Sequence, residues 1–267
     1  MANTYDFYKP KLESEYPEVD GPVSVVTYVA ALDAAYTAFK DKLAKAHKKP
    51  QPNGINGVNG HVNGHANGHV NGHVNGEVSK STFTLENVEY AIFHSPYGKQ
   101  TVKGHARMLY NDFLSSPSSP RFANVSSPET FLSQSHTASL TDKTVEKTFI
   151  SVGKSSFAKQ VAPSMACSRR LGNMYTASLY GCLASLLSSV DPAVIQGKRV
   201  SLFAFGSGCA ASFFTLRVKG DTTDIREKMD LLNRLASMKV VPCQTYVDAL
   251  EVIIISCFYR RSLMSRP

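Results

Sequence analysis

The sequence predicts an α/β fold, a mixed sheet with flanking helices, and three observations predict it. A strand, a loop and a helix follow one another between Val88 and Leu114. A helix from Tyr175 leads into two apolar strands joined by Gly206-Ser207-Gly208. The stretches between carry their apolar residues at helical spacing.

Taken in order, Val25, Val26, Val29, Leu32, Ala35, Tyr36, Phe39 and Leu43 recur every three to four residues, so an amphipathic helix is expected over Val23 to His47. Val88 to Phe93 is a short apolar run ending at His94, the pattern of a buried strand. Pro96 turns the chain, and Val102, Ala106, Leu109, Tyr110 and Phe113 then mark a helix over Lys99 to Leu114. Ser115 to Pro128 is dense in Ser and Pro and reads as an exposed loop. Helices are expected over Asp142 to Lys159 and Tyr175 to Ser189. Lys198 to Phe205 and Ala210 to Val218 are strands too closely linked to be anything but an antiparallel hairpin.

Between Asn53 and Gly76 the dipeptide Asn-Gly occurs seven times, with His61, His65, His69 and His73 four apart. Such a segment has too little apolar content to offset the entropy of ordering, so a disordered insertion is expected at about 50–80. The histidine spacing follows from the repeat itself, and no metal site is expected.

Composition narrows the class. The 267 residues are 43% hydrophobic, enough for a sizeable core. The longest apolar run, at 252–255, falls far short of the roughly 20 residues that cross a bilayer, and the amino terminus lacks a signal pattern. A cytoplasmic protein without membrane partners is expected. Five cysteines, an odd number without a C-x-x-C pair, suggest neither disulfides nor zinc. The charge of +8 is scattered and unaccompanied by an aromatic-basic motif, so it points to an anionic small ligand rather than nucleic acid.

Three polar positions stand at ends of elements, where α/β folds place reactive groups. His94 ends a strand and is held by Ser95-Pro96-Tyr97, so it can donate to a carbonyl oxygen or simply be a structural histidine. Asn173 precedes a helix, where its amide caps the helix or faces a cavity. Ser207 lies between two glycines that let backbone approach a ligand, or that merely serve the turn.

Together, Tyr5-Asp6-Phe7-Tyr8-Lys9-Pro10, Ile92-Phe93-His94-Ser95-Pro96-Tyr97, Gly172-Asn173-Met174-Tyr175-Thr176 and Phe205-Gly206-Ser207-Gly208 resemble the carboxyl-terminal half of the hydroxymethylglutaryl-CoA synthase family of thiolase-like condensing enzymes. The resemblance runs from about Tyr5 to Glu251. It implies a thiolase-like layered fold in a domain over 1–251, followed by a divergent, basic tail over 252–267. It also implies an acyltransferase that condenses acetyl-CoA with acetoacetyl-CoA for the mevalonate route to isoprenoids, with these coenzyme A thioesters as substrates, no covalently bound cofactor, and a homodimer at full length.

By the same resemblance, His94 polarises the acetoacetyl carbonyl, Asp6 helps to orient the site, and Asn173 and Ser207 hold the acyl chain. Lys99, Lys103 and Ser24 match positions that contact coenzyme A. The family's cysteine nucleophile and glutamate base lie upstream of the first motif, and only four residues precede Tyr5 here. The chain is therefore expected to be a fragment, inactive and marginally stable alone. The rival expectation is a catalytically dead partner that binds acyl-CoA.

Overall fold

The computed structural model describes residues 3–8, 16–48 and 83–252. The Asn-Gly stretch with its four histidines, Lys9 and Pro10 of the first motif, Cys257 and the rest of the tail lie outside them. In chain order the described elements begin with β1 (Phe7–Tyr8), β2 (Glu18–Val19), α1 (Gly21–Lys48), β3 (Tyr90–Phe93) and α2 (Gly98–Ser115). Next come α3 (Pro128–Leu132), α4 (His136–Ser139), α5 (Lys143–Gln160), α6 (Ala166–Leu171) and α7 (Ser178–Ser189). The chain continues through α8 (Pro192–Ile195), β4 (Arg199–Gly206), β5 (Ala210–Arg217), α9 (Thr223–Met229) and α10 (Leu231–Ala236), then a helical stretch at 243–252.

The sheet is mixed. β4 lies in the middle, parallel to β3 and antiparallel to β5. Its register aligns Phe93, Phe203 and Phe213 on one face and Ile92, Leu202 and Phe214 on the other, as the two-residue side-chain period of a strand requires. Both faces are apolar, so both need a helical layer.

On the phenylalanine face, Tyr28, Leu32 and Tyr36 of α1 are one turn apart and fully buried. The Tyr28 ring meets Phe203 edge-on at 5.2 Å and the Tyr36 ring packs on Phe213 at 5.1 Å. By length and composition alone, Gly21–Ala46 is long and apolar enough to cross a membrane. Tyr28, Leu32 and Tyr36 pack one side of this helix into the core, and 28% of its apolar stretch is buried.

Helices α2 and α5 complete this layer and approach closely at Gly153. A Cβ there would lie 2.5 Å from Leu109 Cδ1 and 3.1 Å from His105 Nδ1. Gly153→Ala is therefore expected to lose about 1–3 kcal/mol in urea unfolding. A variant as stable as the parent would show that the two helices can part without cost.

The opposite face is covered by α7, whose Leu179, Cys182 and Leu186 pack on Ile92, Val200 and Leu202. This gives a helix, sheet and helix layering around one sheet.

Three expectations need correction. The stretch 115–128 is not wholly an exposed loop, because Phe122 and Val125 are buried and Phe122 packs edge-on against Phe113. Its Ser and Pro content marks turns, while one aromatic ring anchors it. The first long strand starts at Tyr90 rather than Val88. A short turn of 3-10 helix at Leu85–Asn87 precedes it, closed by Thr84 and Asn87 bonding each other's backbones. Tyr175–Ala177 is likewise a separate 3-10 turn ahead of α7. The short helices α3, α4, α6 and α8 to α10 were not expected, since runs of four to seven residues show no helical period.

Candidate active site

His94 stands at the carboxyl end of the parallel β3–β4 pair, where its N–H continues the ladder by donating to the Phe203 carbonyl at 2.8 Å. Strand ends of this kind are where an α/β sheet opens to ligands. The imidazole lies 6.1 Å from the Phe205 ring. Burial lowers its pKa from 6.5 to about 4. At neutral pH the ring is uncharged, with one N–H to donate and one nitrogen to accept.

A cleft of about 430 Å³ opens beside it, lined by His94, Tyr175, Tyr180, Phe205, Gly206 and Phe214 among others. The walls are largely apolar and the imidazole is the titratable group best placed in them. A larger cleft of about 710 Å³ lies between α7–α8 and α9–α10. It is lined by Asp191, Asp221, Glu227 and Asp230 with a single arginine, Arg226, and does not include His94. Carboxylates in that number oppose a phosphate-bearing ligand. The smaller cleft is therefore the better candidate.

Two turns and the amino-terminal segment meet at this cleft. Gly208, at φ 129°, shapes the β4–β5 turn, and its carbonyl accepts from Thr4 N at 2.8 Å. That bond brings the first motif across the hairpin. Asp6 is fully buried there, and its Oδ2 accepts from the Ser207 hydroxyl at 3.0 Å. Asp6 Oδ1 is buried and has no hydrogen-bond partner among the described residues.

On the other side Gly172, at φ 71°, ends α6 and turns the chain into Asn173. The Asn173 side-chain Oδ1 accepts from Tyr175 N at 2.9 Å, which leaves its side-chain N–H groups free of bonds to described residues. Tyr175 is left-handed at φ 50° and its ring packs on Phe7 at 5.7 Å. A bulky residue in that conformation costs on the order of 1–3 kcal/mol and is commonest where a ligand is clamped.

The structure thus brings Asp6 and Ser207 into direct contact and sets His94 in the cleft. Ser207 adjoins the lining residue Gly206, and Asn173 is two residues from the lining residue Tyr175. Lys99, Lys103 and Ser24 do not line it. Lys99 is exposed on the first turn of α2 and makes no ion pair with a described residue. Lys103 is bridged to Glu146 at 3.4 Å, so the two lysines are not equivalent. Ser24 lies on the first turn of α1, one turn before Tyr28.

Sequence reasoning missed Tyr28, Ser178, Tyr180 and Phe214. Ser178 fell within the helix expected over Tyr175 to Ser189 and had no role there. Tyr28 lies within the helix expected over Val23 to His47 but was not among the apolar positions that mark its face. Of the described cysteines, Cys167 and Cys182 are buried, and burial pushes the Cys182 thiol up to about 12. The Cys182 thiol is therefore not a thiolate at neutral pH.

His105, on α2, is 1% exposed, and burial lowers its pKa too, to about 4. For both histidines the unfolded chain takes up a proton near pH 6.5, while the folded chain resists until about pH 4. Folding stability is therefore full above about pH 6.5 and declines as the pH falls through that window. His105 is expected to contribute a loss of about 2–3 kcal/mol between pH 7.5 and 4.5. His94, open to the cleft at one edge, contributes less. Urea unfolding at the two pH values measures the difference, and equal stabilities would contradict it.

The family model described as hydroxymethylglutaryl-coenzyme A synthase C terminal matches residues 1–66 and 65–259. The hydroxymethylglutaryl-CoA synthase of Ganoderma lucidum is 56% identical over 252 residues, which is 94% of this chain and 48% of that protein. The corresponding protein of Mycosarcoma maydis is 46% identical over 251 residues, 94% of this chain and 50% of its own length. Among solved structures, MvaS in complex with 3-hydroxy-3-methylglutaryl coenzyme A superposes with a TM-score of 0.63 at 27% identity. That match covers 94% of this chain and 48% of MvaS. The chain spans about half the length of the relatives it matches.

Proposed function

The chain belongs to the hydroxymethylglutaryl-CoA synthase family, as its carboxyl-terminal part, and from that premise we propose that it supplies the acyl-clamping half of an acyltransferase. The reaction is the condensation of acetyl-CoA with acetoacetyl-CoA and water, giving 3-hydroxy-3-methylglutaryl-CoA and coenzyme A. A cysteine thiolate takes the acetyl group and releases coenzyme A. A glutamate then removes a methyl proton, and the carbanion attacks the acetoacetyl ketone before water frees the product. The cysteine and the glutamate belong to the upstream half.

In this reading His94 acts on the second substrate. Its neutral imidazole donates an N–H to the ketone oxygen and stabilises the alkoxide that develops there. The largely apolar walls, Tyr175, Phe205 and Phe214 among them, lower the local polarity and strengthen that bond. Asn173 offers free amide donors to the acyl chain, and Asp6 helps to orient the site by fixing Ser207. The free Lys99 meets the coenzyme A phosphates, and Lys103 joins it only by leaving Glu146. Ser24 is a further contact on the same side. The working enzyme is a cytoplasmic homodimer.

The observation that carries the reading is the half-sheltered His94 at the end of a strand, facing a largely apolar cleft. The test mixes this chain with the amino-terminal half of a relative, or joins the two, and follows radiolabelled acetyl through to the condensed product. Labelled product supports the proposal. Coenzyme A binding without turnover in any mixture points instead to a binding partner that has lost the chemistry.

A further inference from the structure

The His94 side chain makes no hydrogen bond to a described residue, so the direction of its ring is set by its backbone. Three bonds hold that backbone. One is the ladder bond from His94 N to Phe203 O at 2.8 Å. The second comes from α1, where the Tyr28 hydroxyl donates to the His94 carbonyl at 2.8 Å. The third comes from α7, where Ser178 Oγ accepts from Ser95 N at 2.9 Å and its hydroxyl faces the Ser95 carbonyl at 3.5 Å.

The last two reach the same peptide unit from opposite layers. Tyr28, Ser95 and Ser178 are each at most 1% exposed, so no water can replace these bonds. The Tyr28 ring is itself wedged between Phe203 and Phe205, each at 5.2 Å, and Phe205 faces the imidazole. Burial raises the Tyr28 phenol well above its ordinary value, so it remains a donor at any working pH.

We propose that Tyr28 and Ser178 are positioning residues, a two-sided clamp on the peptide between His94 and Ser95 that aims the His94 N–H at the substrate carbonyl. The proposal rests on the reading of His94 given above. Neither residue touches substrate, and each acts through the loop. Because the hydroxyls are fixed from separate helices, loss of either lets the loop tilt rather than unfold.

Two readouts on the full chain test this. The first is the ratio of acetoacetyl-CoA to coenzyme A affinity, measured by calorimetry on the parent, Tyr28→Phe, Ser178→Ala and His94→Ala. Each clamp variant removes one oxygen and is expected to lower the ratio by about three- to tenfold. The second is the imidazole titration followed by NMR. The His94 value of about 4 is expected to rise toward 6.5 in both clamp variants, while His105, also at about 4, stays in place as an internal reference.

General destabilisation would move both histidines or neither. If the clamp variants keep the parent's ratio and His94 titration while His94→Ala loses the ratio, the clamp is wrong and the reading of His94 stands. If His94→Ala itself leaves the ratio unchanged, the reading of His94 fails. A selective shift of the His94 titration would still establish the clamp in that case. Should Ser178→Ala not fold, Tyr28→Phe carries both readouts.

Discussion

Arg107→Met is expected to destabilise the chain by about 3–5 kcal/mol in urea unfolding, the largest single loss among the charged residues. Arg107 and Asp33 are each 5% exposed. The guanidinium meets the carboxylate through Nε at 3.0 and 2.9 Å and through Nη2 at 2.6 Å, while Nη1 donates to the Ser139 carbonyl at 3.0 Å. Asp33 lies on α1, Arg107 on α2 and Ser139 on α4, so one side chain ties three helices. Its removal leaves Asp33 buried with only the Asn111 amide at 2.6 Å and the His136 ring at 2.8 Å for company. An apolar pair should be tolerated far better. Asp33→Leu with Arg107→Met is expected to recover most of the loss, because no uncompensated charge remains. Lys103→Met breaks a more open bridge and should cost at most about 1 kcal/mol. If Arg107→Met costs no more than Lys103→Met, burial is not what gives the Asp33 pair its weight.

Much of the site was legible because its residues sit in short continuous motifs. His94 follows an apolar run that can only be a strand, and Gly206-Ser207-Gly208 joins two runs that can only form a hairpin, so the placement of both follows from local pattern. The bond between Asp6 and Ser207 spans 201 residues and had no local sign; only the resemblance put the two in one site. Tyr28 and Ser178 were invisible for a different reason. Each looks like an ordinary place in an amphipathic helix, and its importance arises when the layers close on the His94 loop from both sides. The same holds for Lys103, whose match to a coenzyme A contact says nothing of Glu146, 43 positions away on α5. The Ser- and Pro-rich stretch misled because composition reports turns, whereas burial there depends on Phe122 finding Phe113 and Phe149.

In the two-part enzyme, His94→Ala is expected to lower condensation by about 10²–10⁴-fold while leaving acetylation of the cysteine intact. The split follows from the roles proposed, since the acetyl group reaches the cysteine before the acetoacetyl ketone is engaged. The pH dependence separates two ways in which the ring could serve. With a pKa of about 4, only about one ring in a thousand is protonated at pH 7, so a mechanism that needs imidazolium would forfeit nearly all of its rate. A neutral donor forfeits nothing until the pH nears 4. The His94-dependent rate should therefore be level from pH 5 to 8. An acid limb near 6.5 that vanishes in His94→Ala would mean that the ring is solvated during turnover. The apolar cleft would then not be the place where the ketone is held.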